Sequence, residues 1–119
     1  MGVEIGETLL VRTSEEWRRW LERCASTARE IWLVNFKKGT GKQALDYQLA
    51  LDEATCSGWV DTMIKRIDDE RYAIRFVPRR PKSSWTSGNL ERARRLVNEG
   101  RMTPAGLAAL PQGEARRGR

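Results

Sequence analysis

The chain has 119 residues, 39% hydrophobic and 32% charged, with a formal net charge of +6. That length suits one domain around one core, and the positive balance suits an acidic partner or serves solubility alone. Histidine is absent, which removes Ser-His-Asp and Cys-His nucleophile systems and the usual histidine-rich zinc sites.

Residues 1–7 read as a loose lead-in without the basic-then-apolar pattern of a signal peptide. No apolar run reaches membrane-spanning length, so a cytoplasmic protein without membrane insertion is expected. Thr8 to Arg12 reads as a short strand. Thr13 then caps a helix, with Glu16 three residues on completing a capping box. Trp17, Trp20, Leu21 and Cys24 recur at helical spacing and form one apolar stripe. Glu30 to Lys37 is rich in β-formers, with Trp32, Val34 and Phe36 on one face and Ile31 and Leu33 on the other, the pattern of a central strand. The basic turn Lys38-Gly39-Thr40-Gly41-Lys42 lacks the spacing of a phosphate loop.

Asp46 caps a second helix whose stripe is Tyr47, Ala50, Leu51 and Ala54, and Gly58 can end it. Trp59 to Ile67 and Arg71 to Val77 are strands joined through Asp68-Asp69-Glu70, a tight antiparallel hairpin. A third helix begins near Thr86 or Ser87. Its buried stripe is Leu90, Ala93, Leu96 and Val97, with Arg92 and Arg95 turned outward and Gly100 at its end. Thr103-Pro104 opens a short fourth helix through Leu110. The reading is an α+β fold: a small antiparallel sheet with helices packed on it and a helical C-terminal portion. Residues 1–111 form the domain and residues 112–119 a basic, disordered tail. Cys24 and Cys56 lack metal spacing and read as reduced residues, Cys56 mainly as core, with a single disulfide the weaker reading.

The densest cluster of unusual residues is Pro78-Arg79-Arg80-Pro81-Lys82-Ser83-Ser84-Trp85-Thr86-Ser87-Gly88-Asn89. A stiff, cationic loop opening into a helix is a place where an anion can be held. Arg79 approaches such a site on a fixed proline, whereas Arg80 reads as a solvated charge. Trp85 stacks on a ligand ring or packs on the first helix, two readings of equal weight.

Several motifs in order carry a family resemblance. They are Gly58-Trp59-Val60-Asp61, Lys65-Arg66-Ile67-Asp68, Phe76-Val77-Pro78-Arg79, Ser83-Ser84-Trp85-Thr86 with Asn89, and Glu99-Gly100-Arg101-Met102 with Ala105-Gly106. Together with Trp17 to Leu21 and Trp32 to Lys38, this order resembles the YdeI/OmpD-associated (OmdA-like, bacteriocin-protection) family from Thr8 to Leu110. The resemblance implies a bacterial stress-response protein and supplies no agreed reaction. Thr55 and Ser57 depart from that family's bulkier residues around the cysteine, and family members often continue beyond this C-terminus.

The candidate ligand-binding residues are Trp59, Asp61, Lys65, Arg79, Lys82, Ser83, Trp85, Asn89 and Arg101. Strand alternation places Asp61, Met63 and Lys65 on one face, either as a pocket acid with its partner or as an exposed ion pair. Arg101 is a third wall of the pocket or a cation at a helix C-terminus. Three functions follow. The first is a non-catalytic domain holding a small anionic ligand in a basic, tryptophan-containing pocket. The second is nucleic-acid binding through Arg92, Arg94 and Arg95 with Arg116, Arg117 and Arg119. The third is an enzyme using Asp61 and Lys65 as acid and base. The balance leans away from catalysis. No cofactor or metal motif is present, and nothing in the pattern sets an oligomeric state.

Overall fold

Local signals start most elements where the sequence places them. A computed structural model describes residues 3–114. It runs β1 (Thr8–Leu9), α1 (Ser14–Cys24), β2 (Ile31–Phe36), α2 (Tyr47–Cys56), β3 (Trp59–Arg66), β4 (Arg71–Pro78), α3 (Ser87–Asn98) and α4 (Pro104–Ala108). The capping box at Thr13 and Glu16 forms. Glu16 Oε1 also accepts from the Arg12 amide at 2.9 Å, which draws the chain out of β1 after two residues rather than five. Asp46, Thr86 and Thr103 cap the other three helices.

The fold is α+β, with strand order β1-β2-β4-β3. The pairs β2/β4 and β4/β3 are antiparallel, as the hairpin pattern requires, whereas β1 lies parallel to β2. The sheet is therefore mixed, because α1 carries the chain across it between β1 and β2.

Trp17, Trp20 and Leu21 are buried on the stripe of α1. Trp17 stacks on Trp20 at 5.5 Å and leans on Phe76 at 5.4 Å, and its Nε1 donates to the Ala50 carbonyl at 3.0 Å. Ile31, Leu33, Ile74 and Phe76 join this core from one face of the sheet. Trp32 and Val34 are also buried on the opposite face. The segment before β1 helps cover them, so residues 3–7 are more than a lead-in. The Trp32 amide donates to the Glu7 carbonyl at 3.0 Å, Lys65 Nζ donates to the Val3 carbonyl, and Gly6 lies against the Glu30 carboxylate and the Trp32 indole.

A β-bulge corrects the expected face of β3. Asp61 pairs with Phe76, but the next pairs are Met63 with Arg75 and Lys65 with Ala73, so Thr62 is the extra residue. Cross-strand partners share a face, and one inserted residue reverses the alternation beyond it. Asp61 thus faces the helices with Phe76, while Met63 and Lys65 face the other side.

Two carboxylates on α2 tie the helices together. Glu53, with its side chain 3% exposed, accepts from Arg18 Nε at 2.9 Å and Nη2 at 2.8 Å, and from Arg101 Nη2 at 3.0 Å. Asp52 accepts from Arg92 and, at 2.6 Å, from Arg95. Arg92 therefore turns inward to α2 instead of outward, while Arg95 stays exposed and reaches Asp52 from the surface. The expected tail also begins later than residue 112. Glu114 accepts from Arg94 Nε and Nη2, both at 3.0 Å, and its side chain is largely covered. Residues 115–119 lie outside the described residues.

Candidate anion-binding cleft

β4 stops at Pro78, which has no amide hydrogen to extend a ladder. The chain leaves the sheet with the Arg79 amide donating to the Gly58 carbonyl at 2.9 Å. Residues 79–86 then fold back on themselves. Ser83 N donates to the Arg80 carbonyl at 3.2 Å, and Lys82 takes a left-handed backbone with φ of 60°. Thr86 Oγ1 accepts from the Asn89 amide at 3.1 Å and starts α3.

This loop fixes Arg79. Its guanidinium lies 3.5 Å from the Trp85 ring centroid, a cation–π stack. Its Nη1 donates to Ser83 Oγ at 3.0 Å and to the Ser84 carbonyl at 3.3 Å. Arg79 has no ion pair among the described residues. Burial lowers its pKa, and the field of Asp61 opposes that shift without contact.

Arg79 lines an open cleft of about 680 Å³ where β3 begins and β4 ends. Arg29, Arg75 and Arg80 share it, with Ser83 and Asn89 on the loop side and Val60 and Val77 from the strands. Arg75 is committed to Glu30 at 2.6 Å, while Arg29 and Arg80 have no carboxylate among the described residues.

Of the nine candidate residues, Arg79, Ser83 and Asn89 line this cleft, and Trp85 stands on its loop outside the lining. Trp85 packs on Arg79. Trp59 is a core residue, 2% exposed and edge-on to Trp20 at 5.6 Å, and it reaches the base of a neighbouring groove that Arg79 and Lys82 also line. Lys82 is exposed beside that groove. Arg101 sits elsewhere, in a groove with Arg18, Glu53 and Cys56, bound to Glu53 and Glu99. The Cys56 thiol there is pushed up to about 11 by burial and by Glu53, so it stays protonated at neutral pH.

Asp61 and Lys65 lie on opposite sides of the sheet, which removes the geometric basis for pairing them as acid and base. Asp61 instead accepts from the Tyr47 hydroxyl at 2.6 Å. Burial and this bond push the Tyr47 phenol up to about 12. The folded chain therefore binds this proton more tightly than the unfolded one, whose phenol has the ordinary value of 10.0. The resulting stability is complete below pH 10 and is lost as pH rises toward 12. The difference between phenolate absorbance titrations of the wild type and Tyr47→Phe should give a midpoint near 12. A midpoint at the ordinary value would break the assigned bond.

Arg29 and Arg75 were missed in the sequence and Arg80 was set aside. Their charges lie in three separate segments, and only the strand register gathers them. The basic turn Lys37 to Lys42 forms its own groove with Asn35, Tyr47 and Tyr72, sharing no lining residue with the first cleft. The arginines on α3 that suggested nucleic-acid binding are spent on Asp52 and Glu114. Arg116, Arg117 and Arg119 lie outside the described residues. Among the described residues, no helix is long and apolar enough to cross a membrane, and no cluster of acidic or cysteine side chains could hold a metal ion.

Comparison with known families decides the relationship. A family model described as a domain of unknown function, DUF8412, matches residues 9–109. The chain belongs to this family. The match corrects the resemblance to the YdeI/OmpD-associated family, and the expectation of bacteriocin protection loses the ground it stood on. The motifs that carried that resemblance include stops and starts of the DUF8412 fold: Gly58 and Gly100 at positive φ after helices, the β3–β4 hairpin, and the Thr86 cap. Such features recur wherever a chain makes the same turns. No curated protein and no solved structure matches the chain.

Proposed function

We propose that this protein is a non-catalytic binding domain for a small anionic ligand, held in the cleft that Arg79 lines. The observation that carries this reading is Arg79 itself. It is a half-buried cation, held flat on an indole and without a carboxylate partner among the described residues. Placing a guanidinium out of water without an ion pair is unfavourable unless something compensates. An incoming carboxylate or phosphate would supply that compensation through charge-assisted hydrogen bonds. Arg29 and Arg80 at the same cleft add to the attraction. Asp61, the carboxylate whose field acts on Arg79, is already bonded to Tyr47.

Thermal shift with inorganic phosphate, nucleotides, sugar phosphates and simple carboxylates tests the proposal. At least one anion is expected to raise Tm in the wild type and in Lys38→Ala, whose charge lies at the other groove. The rise should vanish in Arg79→Ala, measured against that variant's own unliganded Tm. Stabilisation by no anion, or equal stabilisation with and without Arg79, would overturn the reading.

A further inference from the structure

We infer, building on that anion-binding reading, that the ligand is amphiphilic: a carboxylate carrying an apolar alkyl or aryl body. Two features of the cleft carry this. The first is its floor. Val60 and Val77 are cross-strand partners on the face of the sheet turned away from α1 and α2, and both remain only half-buried. Ala28, Pro78 and Pro81 continue the apolar lining beside them. A cleft of about 680 Å³ is within the range that buries a small organic molecule.

The second feature is the free side of Arg79. Nη1 is spent on Ser83 and Ser84, which leaves Nε and Nη2 without an acceptor among the described residues. Those two N–H groups lie parallel on one side of the guanidinium and match the two oxygens of a planar carboxylate. Arg18 grips Glu53 through the same pair of atoms in this molecule.

Other anions fit less well. A nucleobase needs an aromatic face, but Trp59 is buried and Arg79 covers one face of Trp85, which does not line the cleft. A sugar phosphate would find polar partners in Thr62, Ser83, Ser84 and Asn89 but would leave Val60 and Val77 without an apolar contact.

The test is calorimetric titration of the full chain with a straight-chain series from butanoate to octanoate, alongside inorganic phosphate and glucose 6-phosphate. Affinity should rise about fourfold for each methylene laid on the floor. Val60→Thr, which keeps a β-branched residue in the strand, should weaken octanoate several-fold and leave butanoate nearly unchanged. Arg79→Gln should remove binding of the whole series. If the phosphates bind and affinity does not grow along the series, this inference fails while the anion-binding reading stands. If octanoate binds Arg79→Gln as well as the wild type, the contact is nonspecific grease and this inference fails. If no anion of either kind binds, both readings fall together.

Discussion

Removing Arg18 and Arg101 together is expected to cost about 3–5 kcal/mol of stability, more than removing the carboxylate they share. The asymmetry follows from which partner is out of water. The Glu53 side chain is 3% exposed, whereas those of Arg18 and Arg101 are 48% and 36% exposed. In an Arg18→Ala/Arg101→Ala double variant, the Glu53 carboxylate loses both partners while the rest of α2 still holds it among the helices. In Glu53→Gln the two guanidinium heads turn to solvent, and the remaining loss is that of charged hydrogen bonds, about 1–3 kcal/mol. Either arginine alone should cost less than the pair, because the other still bonds Oε2. Urea unfolding of the four variants checks the order. A larger loss for Glu53→Gln than for the double variant would show that α2 does not depend on a buried negative charge.

Trp17→Ala is expected to lose about 3–5 kcal/mol from the cavity it leaves, a large fraction of the stability of about 5–15 kcal/mol usual for a domain. Trp17 is fully buried between Trp20 and Phe76, and its indole bond to Ala50 ties α1 to α2. Removing the side chain leaves the Ala50 carbonyl without that donor as well. Trp17→Phe keeps a ring in place and should lose roughly half as much. Trp85→Ala, in the half-exposed loop, should cost no more than about 1 kcal/mol. Equilibrium unfolding of the three variants distinguishes them. Comparable losses at Trp17 and Trp85 would contradict the placement of the core on α1.

The sequence was most legible where structure depends on near neighbours. Thr13 with Glu16, Asp46, the acidic hairpin tip and Thr103 with Pro104 each act within a few residues, and each forms as read. The loop from Pro78 to Asn89 was also found, because its composition serves no packing need. Features that depend on distant partners were not legible. The alternation of β3 looked unbroken through Thr62, since a single-residue bulge leaves no mark in a run of β-formers. Arg92 and Arg95 looked unpartnered because they flank the apolar stripe of α3, and the carboxylate that binds both lies on another helix. A signal for that existed. Asp52-Glu53 interrupts an otherwise uncharged helix carrying no cation of its own, in a chain with positive charge to spare. Trp59 misled because an indole beside an aspartate reads as a site, while packing against Trp20 decides its place.

The extra residue at Thr62 has a consequence for the edge of the sheet. One flank of the sheet ends in the two residues of β1, the other in the eight residues of β3. A regular strand of that length would present an unbroken row of free main-chain donors and acceptors on which a second chain could add. The kink divides that row midway, and Lys65 and Arg66 place charge on its far half. The same irregularity that parts Asp61 from Lys65 therefore makes the open margin of the sheet a less regular template for strand addition.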